Sequence, residues 1–477
     1  MRRDELGLLL PFAVLAWGLR RVVPTLGQGL WGPEQPFLNG DFNGGWWLWW
    51  ASAGEGRMDL LAYPEGAGHL ASAIPNPGQM LLLGTVLGEP SVLAWNLVQL
   101  AHLVLLVLGA YVLARSAGAS GLAAGAASAL VAASPILLHE VVGGRPDNLV
   151  AWPALFSLAC LQRKGWCWGL AAGALAALQG VAYAWHGLAL VLIGLPLVRD
   201  WRGLAAGVAL GGVLTVPYIA WVLQGLDGLP QDAPEVGYTA LPLSGLWPSA
   251  TLPDRFQVHP LLVPVALLGL RGGWRWLLAG LIGLCISVGP QVQWELGEPL
   301  VAGPWAWISW AVGPTARMHH PVREMLIALP VLAAGLALGL DRFRWREVLA
   351  ALLVLAAFWN APRLDTAAAW LQPSSPPFSE VEVEGPAIDV LGMRHRTALS
   401  LQTVHGQALN EPLVFRREGP VEALSRGLVP ERGFWQDLRD AGFQQVLVLD
   451  RFGDSEGVRL IVEEALGPPV SEGVYAL

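Results

Sequence analysis

Three short segments hold the residues able to do chemistry. The first is Leu38-Asn39-Gly40-Asp41-Phe42-Asn43-Gly44-Gly45, followed at once by Trp46-Trp47-Leu48-Trp49-Trp50, with Glu55, Asp59 and Glu65 further along. A carboxylate beside an apolar, tryptophan-rich shelf is partly desolvated, which raises its proton affinity and suits Asp41 to accept a proton from an acceptor hydroxyl. The competing reading is structural, because Asn-Gly-Asp and Asn-Gly-Gly are turn formers in any protein. The second segment is Glu140 with Gly143-Gly144-Arg145-Pro146-Asp147-Asn148. Asp147 suits an N-cap for the helix that follows, and Arg145 can hold a phosphate. The third is Thr315-Ala316-Arg317-Met318-His319-His320-Pro321-Val322-Arg323-Glu324. There Arg317 and Arg323, with His319 and His320, can neutralise a phosphate or pyrophosphate leaving group. The structural alternative is an interfacial anchor that pairs with headgroups or with Glu324. Two adjacent histidines are not a zinc site, which needs four ligands when closed. The chain has no HExxH, no phosphate-binding lysine loop and no GxGxxG after a strand.

These segments lie between apolar stretches. The chain has 477 residues, is 54% hydrophobic and only 14% charged, and has a mean hydropathy of +0.48. Soluble domains carry about 25% charged residues, so a water-soluble enzyme is excluded. The 24 Trp and 57 Gly fit membrane helices, where Trp anchors at the interface and Gly permits close packing. Hydropathy predicts about eleven spans, near 6–23, 91–114, 118–138, 148–161, 166–184, 187–198, 203–223, 259–270, 275–289, 324–340 and 347–360, whose interiors hold no Asp, Glu, Lys or Arg apart from Arg20-Arg21 at the outer end of the first. Several are shorter than the roughly 20 residues that cross hydrocarbon, so they must tilt, be extended by flanking residues, or re-enter.

The turns set the orientation. Arg2-Arg3, Arg115, Arg163-Lys164, Arg199 with Arg202, Arg271 with Arg275, and Arg342, Arg344 and Arg346 share one side, which the positive-inside rule gives to the cytoplasm. Arg20-Arg21 runs against this pattern. The N-terminus is then cytoplasmic, read as a retained first helix, and the segments 24–90, 139–147, 224–258 and 290–323 face outward, as does the C-terminal region. The net charge of −8 is concentrated there, since residues 362–477 hold 17 acids against 10 arginines. No basic face exists, which excludes nucleic acid as a partner. Cys160, Cys167 and Cys285 form no disulfide framework. The Pro/Ser-rich Gln372-Pro373-Ser374-Ser375-Pro376-Pro377 separates a membrane domain, 1–360, from a second region, 361–477. In that region strands are expected at 398–404, 444–450 and 473–477 and helices at 434–441 and 457–466, hence a small α/β domain outside the membrane.

The membrane part resembles the GT-C superfamily of integral-membrane glycosyltransferases, and uncharacterised bacterial members in particular. The resemblance rests on four features: Gly40-Asp41 in the first outer loop; the Gly-rich acidic stretch before Asn148; the Arg317-to-Gly339 segment of arginine and proline followed by an apolar Leu/Ala/Gly helix; and Gln402-Thr403-Val404-His405-Gly406-Gln407-Ala408-Leu409, similar to a segment in the tails of such proteins. It implies a many-helix fold in the bacterial plasma membrane with a large first outer loop, a sugar donor on polyprenyl phosphate, and a glycan, lipid or protein acceptor. It implies Asp41 as general base of an inverting transfer, with Arg317 or Arg323 on the donor phosphate. Many members carry an acidic pair in the first loop. Here the sequence is Asp41-Phe42-Asn43, which leaves a divalent metal without its second acid. The competing classes are a transporter or flippase of lipid-linked glycans and a non-catalytic membrane scaffold. Against coupled transport, the spans carry no ionisable residue that would line a path, apart from His102 in the second and His186 between the fifth and sixth.

Overall fold

The computed structural model describes residues 3–27, 29, 31, 40–57, 77–142, 146, 148–225, 240–246, 252, 256–271, 273–311, 320–362, 383–391, 420–449 and 455–477. They fall into two compact units. One comprises Met1–Leu26, Asn96–Tyr218 and Gln231–Ala368; the other comprises Gly27–Trp95, Ile219–Pro230 and Ala369–Leu477.

The helices, in chain order, are α1 (Arg3–Leu19), α2 (Gly40–Ser52), α3 (Pro77–Leu87), α4 (Val92–Ala117), α5 (Gly121–Ala132), α6 (Pro135–Val142), α7 (Trp152–Leu161), α8 (Trp166–Ala182), α9 (Ala184–Gly194), α10 (Trp201–Gly225), α11 (Leu262–Ala266), α12 (Trp274–Val288), α13 (Pro304–Ala311), α14 (Met325–Leu340) and α15 (Arg346–Asn360). Among the described residues three segments are long and apolar enough to cross a membrane: Val92–Ala117, Trp201–Ala220 and Pro321–Leu340. A fourth forms if α5 and α6, bent by 52° at Ala133-Ser134, count as one span. The remaining apolar stretches form helices of 10–17 residues. At about 1.5 Å per residue these are shorter than a bilayer's roughly 30 Å of hydrocarbon.

Helix α14 is the core of the first unit. Of its most apolar window 94% is buried, against 17% for α10, so α14 is walled by protein while α10 shows most of its surface outward. Glycine sets the spacing of two helix pairs. A Cβ on Gly169 or Gly173 of α8 would fall onto the carbonyl oxygens of Gly203 and Gly207 of α10, and one on Gly125 of α5 onto that of Gly7 of α1. Backbones in direct contact exclude any side chain there. The turn before α5 is fastened by Asp341, which accepts from both the backbone N–H and the hydroxyl of Ser120.

In the second unit the tryptophan shelf is a helix. Gly40 to Asn43 opens α2 as helix, so the turn that is the structural alternative for Asp41 does not form. The helical period buries Trp46 and Trp49 against Trp95, with ring centroids 5.3 and 5.8 Å away. The Trp49 indole N–H donates to the Gly88 carbonyl at 2.8 Å, and the Ser52 hydroxyl donates to Met80 O at 3.3 Å, tying α2 to α3. The expected first outer loop is therefore partly helical.

Two small sheets complete the fold. In the first unit β1 (Gln291–Gln293) pairs antiparallel with β2 (Pro299–Ala302). In the second unit β3 (Ala387–Asp389) runs parallel to β4 (Gln445–Leu447), which pairs antiparallel with β5 (Val474–Ala476). Around this second sheet stand α16 (Pro420–Ser425), α17 (Phe434–Asp440) and α18 (Glu456–Leu466). Their apolar faces form one cluster with it, including Leu424, Phe434, Val458, Val462, Val446 and Tyr475. The helices and strands expected between 434 and 477 lie where the sequence pattern puts them; the strand expected at 398–404 lies outside the described residues.

Candidate functional site

Two of the three chemistry-bearing segments meet in the first unit. Glu140 sits in the last turn of α6 and is buried. Arg323 lies in the short 3-10 turn Pro321–Glu324 that leads into α14. Their side chains form an ion pair, Nε to Oε1 at 3.5 Å, with only 8% and 6% of their surfaces exposed. The other Glu140 oxygen accepts from the Asn148 side-chain amide at 2.9 Å. Arg323 Nη1 donates to the Tyr183 hydroxyl at 3.3 Å.

A second buried pair adjoins the first. His186, in the first turn of α9, places Nδ1 2.9 Å from Glu324 Oε2, and both side chains are fully buried. Its Nε2 lies 3.2 Å from the Asn148 carbonyl oxygen. That carbonyl can only accept, so Nε2 carries a hydrogen. Nδ1 then faces a carboxylate oxygen at hydrogen-bond distance, and the contact requires a proton between them. The pair is either imidazolium with carboxylate or imidazole with carboxylic acid, and both are electrically neutral. The Tyr183 ring lies on the His186 ring, with centroids 4.2 Å apart.

These contacts close a ring: Glu140, Arg323, Tyr183, His186, Asn148 and back to Glu140. Its members come from the end of α6, the turn before α7, the break between α8 and α9, the start of α9 and the turn before α14. The break at Tyr183 is extended backbone, φ −152° and ψ 100°, which turns the chain so that Tyr183 and His186 face the same point. Buried charges are tolerated only when paired and hydrogen-bonded, and each charge here meets that condition. Two acceptors, Glu324 Oε1 and Asn148 Oδ1, are buried with no hydrogen-bond partner among the described residues. Such an acceptor is open to a donor from water or ligand, and a buried acceptor left unmet costs about 1–3 kcal/mol.

The sequence candidates divide as follows. Glu140 and Arg323 belong to the ring. His320 is half-buried beside it, and its carbonyl accepts from the Arg323 backbone N–H at 3.1 Å. Arg145, Asp147, Arg317 and His319 lie outside the described residues, as do Asp59 and Glu65. Asp41 is described as backbone only, at the start of α2. Arg323 pairs with Glu140 and not with its neighbour Glu324, which is bound to His186 instead. Sequence reasoning passed over Asn148, Tyr183 and Glu324 as site residues and weighed His186 only as an argument against transport. The available signal was His186 itself, a lone titratable group in an apolar run. His102 accepts from the Trp152 indole N–H at 3.1 Å and packs there. Among the described residues no three His, Cys, Asp or Glu side chains come together as metal ligands.

No protein-family model matches the sequence, and no curated protein matches it. Solved structures do match the fold. ArnT from Cupriavidus metallidurans in the apo state superposes with a TM-score of 0.57 at 15% identity, over 99% of this chain and 97% of that one. The arabinofuranosyltransferase AftD from mycobacteria gives a TM-score of 0.50 at 16% identity, over 93% of this chain and 36% of that longer one. Such identities speak for the fold alone, and the match runs through nearly the whole chain. The chain thus shares its fold with ArnT and with part of AftD.

Proposed function

We propose that this chain is a membrane glycosyltransferase that moves a sugar from a polyprenyl-phosphate donor to an acceptor hydroxyl on the extracytoplasmic face, with inversion. Asp41 takes the hydroxyl proton, and the acceptor oxygen bonds to the anomeric carbon. The bond from that carbon to the phosphate oxygen breaks, and the polyprenyl phosphate leaves with the electron pair. The proton balance is complete without a metal. In this reading about eleven crossings of the bacterial plasma membrane put the N-terminus in the cytoplasm, and residues 361–477 form an extracytoplasmic α/β domain.

The observation that supports the reading best is the buried, fully paired charge ring, held by a fold of this class. Charged groups inside a membrane protein are costly and mark functional sites. The positive charge of Arg323 is already balanced by Glu140, so the net positive charge that a phosphate requires falls to Arg317, Arg145 and His319 or His320. Glu140 and Arg323 fix the turns on either side, and Arg323 serves as a secondary phosphate contact. Helix α7 has Ala151 at its N-cap and no side-chain cap, so the capping role expected of Asp147 does not apply. GT-C proteins share a fold and not a single chemistry, so a flippase of lipid-linked glycans is the second reading, favoured by the proton-sharing His186–Glu324 pair.

The test is a deletion strain of the source organism, complemented with wild type or Asp41→Asn and examined by mass spectrometry of envelope glycans and glycolipids. The transferase reading expects a hexose-sized increment missing from the deletion, restored by wild type and not by normally expressed Asp41→Asn. Full rescue by Asp41→Asn removes Asp41 as base. An unglycosylated acceptor that accumulates on one face while lipid-linked donor stays on the other favours the flippase.

A further inference from the structure

The helices that carry the ring also reach a second polar feature at their far ends. Asn148 precedes α7, and Gln162 follows it. His186 opens α9, and Arg199 follows it after the short turn Leu195–Leu197. Glu324 precedes α14, and Arg342 follows its C-terminus. Helix α12 runs the other way, from Trp274-Arg275-Trp276 to Gly289, which packs on Pro321. At these far ends lies a cavity of about 280 Å³ lined by Arg199, Arg275, Arg342, Gln162 and Trp274, among others. The 16 residues of α14 put the two features roughly 24 Å apart along its axis, most of the roughly 30 Å of hydrocarbon in a bilayer.

The cavity carries three cations and no counter-charge. Arg199, Arg275 and Arg342 make no ion pair with any described residue. The acids adjacent in sequence are engaged elsewhere. Asp341 is bound to Ser120 and lies 3.8 Å from Arg346. Asp200 accepts from the backbone N–H groups of Gly165 and Arg202 at 2.9 and 3.1 Å. Three guanidinium groups around one small space repel one another, and an anion between them relieves that repulsion. Arginine's planar fork matches phosphate oxygens in particular. The wall is fixed, because the Gln162 amide donates to Leu197 O at 3.1 Å. Trp274, 60% exposed, stands at the cavity as an interfacial anchor would. The volume is below the about 300–1,000 Å³ of sites for drug-sized ligands, which fits a compact phosphate group and not a nucleotide sugar.

We propose that this arginine-lined cavity is a phosphate-ester site on the membrane face opposite the charge ring. Its ligand is an anionic phospholipid headgroup or a free phosphate, and the two share one recognition chemistry. Basic pockets between membrane helices hold anionic headgroups in this way.

The test uses the full-length chain in non-ionic detergent, with binding followed by native mass spectrometry and thermal shift. Four probes are titrated: dioctanoyl-phosphatidylglycerol, dioctanoyl-phosphatidylcholine, inorganic phosphate and pyrophosphate. The site expects saturable binding of phosphatidylglycerol or of a free phosphate, with phosphatidylcholine weaker. Arg199→Gln/Arg275→Gln/Arg342→Gln should weaken it at least tenfold, and so should the single reversal Arg275→Glu, which covers a triple variant that does not fold. Lys164→Gln/Arg344→Gln, on the same face but outside the cavity lining, should leave it unchanged. Phosphatidylglycerol alone identifies a lipid source, whereas phosphate or pyrophosphate binding with equal or higher affinity identifies a soluble one. Equal loss in the control variant, undiminished binding in folded cavity variants, or no saturable binding of any probe overturns the proposal.

Discussion

Removing one charge of the Glu140–Arg323 pair should be far more harmful than removing both. Glu140→Gln keeps an oxygen for the Asn148 amide but leaves the Arg323 guanidinium, 8% exposed, without its counter-charge. Breaking a buried pair in this way costs about 3–5 kcal/mol, mostly from the stranded charge. Arg323→Met strands Glu140 similarly, with a further loss of about 1 kcal/mol for the hydrogen bond to Tyr183. The double variant strands neither charge, and buried pairs replaced together are often close to neutral. A double-mutant cycle should therefore give a coupling energy of about 3 kcal/mol or more. The protein carries its own control. Arg57 and Glu89 also form an ion pair, but their side chains are 27% and 61% exposed, and exposed pairs couple by about 0.2–1 kcal/mol. Both cycles can be read by reversible denaturant unfolding in mixed micelles. A Glu140–Arg323 coupling no larger than that of Arg57–Glu89 would refute the argument that the ring is desolvated.

Three further outcomes follow from other parts of the fold. Gly169→Val places side-chain atoms onto the Gly203 carbonyl and should lower stability by about 1–3 kcal/mol, the range for overpacking; Gly212→Ala, with nothing within 4 Å of its new Cβ, should raise it by about 0.4–1 kcal/mol, and equal effects in thermal melts would count against the close α8–α10 contact. The Asp200 carboxyl is held below the usual carboxylate range by the Gly165 backbone N–H first, then by those of Gly203 and Arg202 and the Arg202 charge. A folded-state pKa below the unfolded one adds stability above the unfolded value of about 3.9, lost as pH falls through the folded one. Wild type should therefore exceed Asp200→Asn in stability at neutral pH, and the difference should begin to shrink only as pH falls below about 4 and vanish below the folded-state pKa; a difference that is independent of pH refutes the assignment. His186→Phe removes the only described partner of the Glu324 carboxyl, so it should lower the melting temperature, and Glu324→Gln added to it should recover most of the loss. No recovery would mean that Glu324 has another counter-charge.

Much of the helix layout was legible because burial writes itself into composition. The stretch 324–340 appears as α14, Met325–Leu340, and 91–114 as α4, Val92–Ala117, since long charge-free runs have few other places to go. In the C-terminal region, α17, β4, α18 and β5 all fall within two or three residues of the expected bounds, because each alternation between period two and period 3.6 is flanked by glycine. Strand β3 was missed, since Ala387-Ile388-Asp389 is too short to show a period and owes its conformation to parallel pairing with β4. The hairpin of β1 and β2 was hidden inside a presumed loop for the same reason. Of the ring, Glu140 and Arg323 were legible as candidates, but their pairing was not. His186 and Glu324 are 138 residues apart, and only the packing of α9 against α14 brings them together. Local sequence showed the polar residues but not which of them would face one another. The structural alternative for Asp41 is a turn, suggested by its Gly and Asn neighbours, whereas the run Trp46-Trp47-Leu48-Trp49-Trp50 continues the segment as α2.

The ring also imposes an order on biosynthesis. Glu140, Asn148, Tyr183 and His186 leave the ribosome well before Arg323 and Glu324 exist. With 138 residues between His186 and Glu324 and synthesis at roughly 5–20 residues per second, the interval is about 7–28 s. Throughout it, Glu140 lacks Arg323 and His186 lacks Glu324, so the end of α6 and the start of α9 cannot yet reach the buried pairing of the finished fold. They must wait at the membrane surface or in the insertion machinery until the turn before α14 arrives. Completion of the charge ring is thus a late event of assembly, and a chain that stops short of residue 320 should remain open to water, protease and quality control at these points.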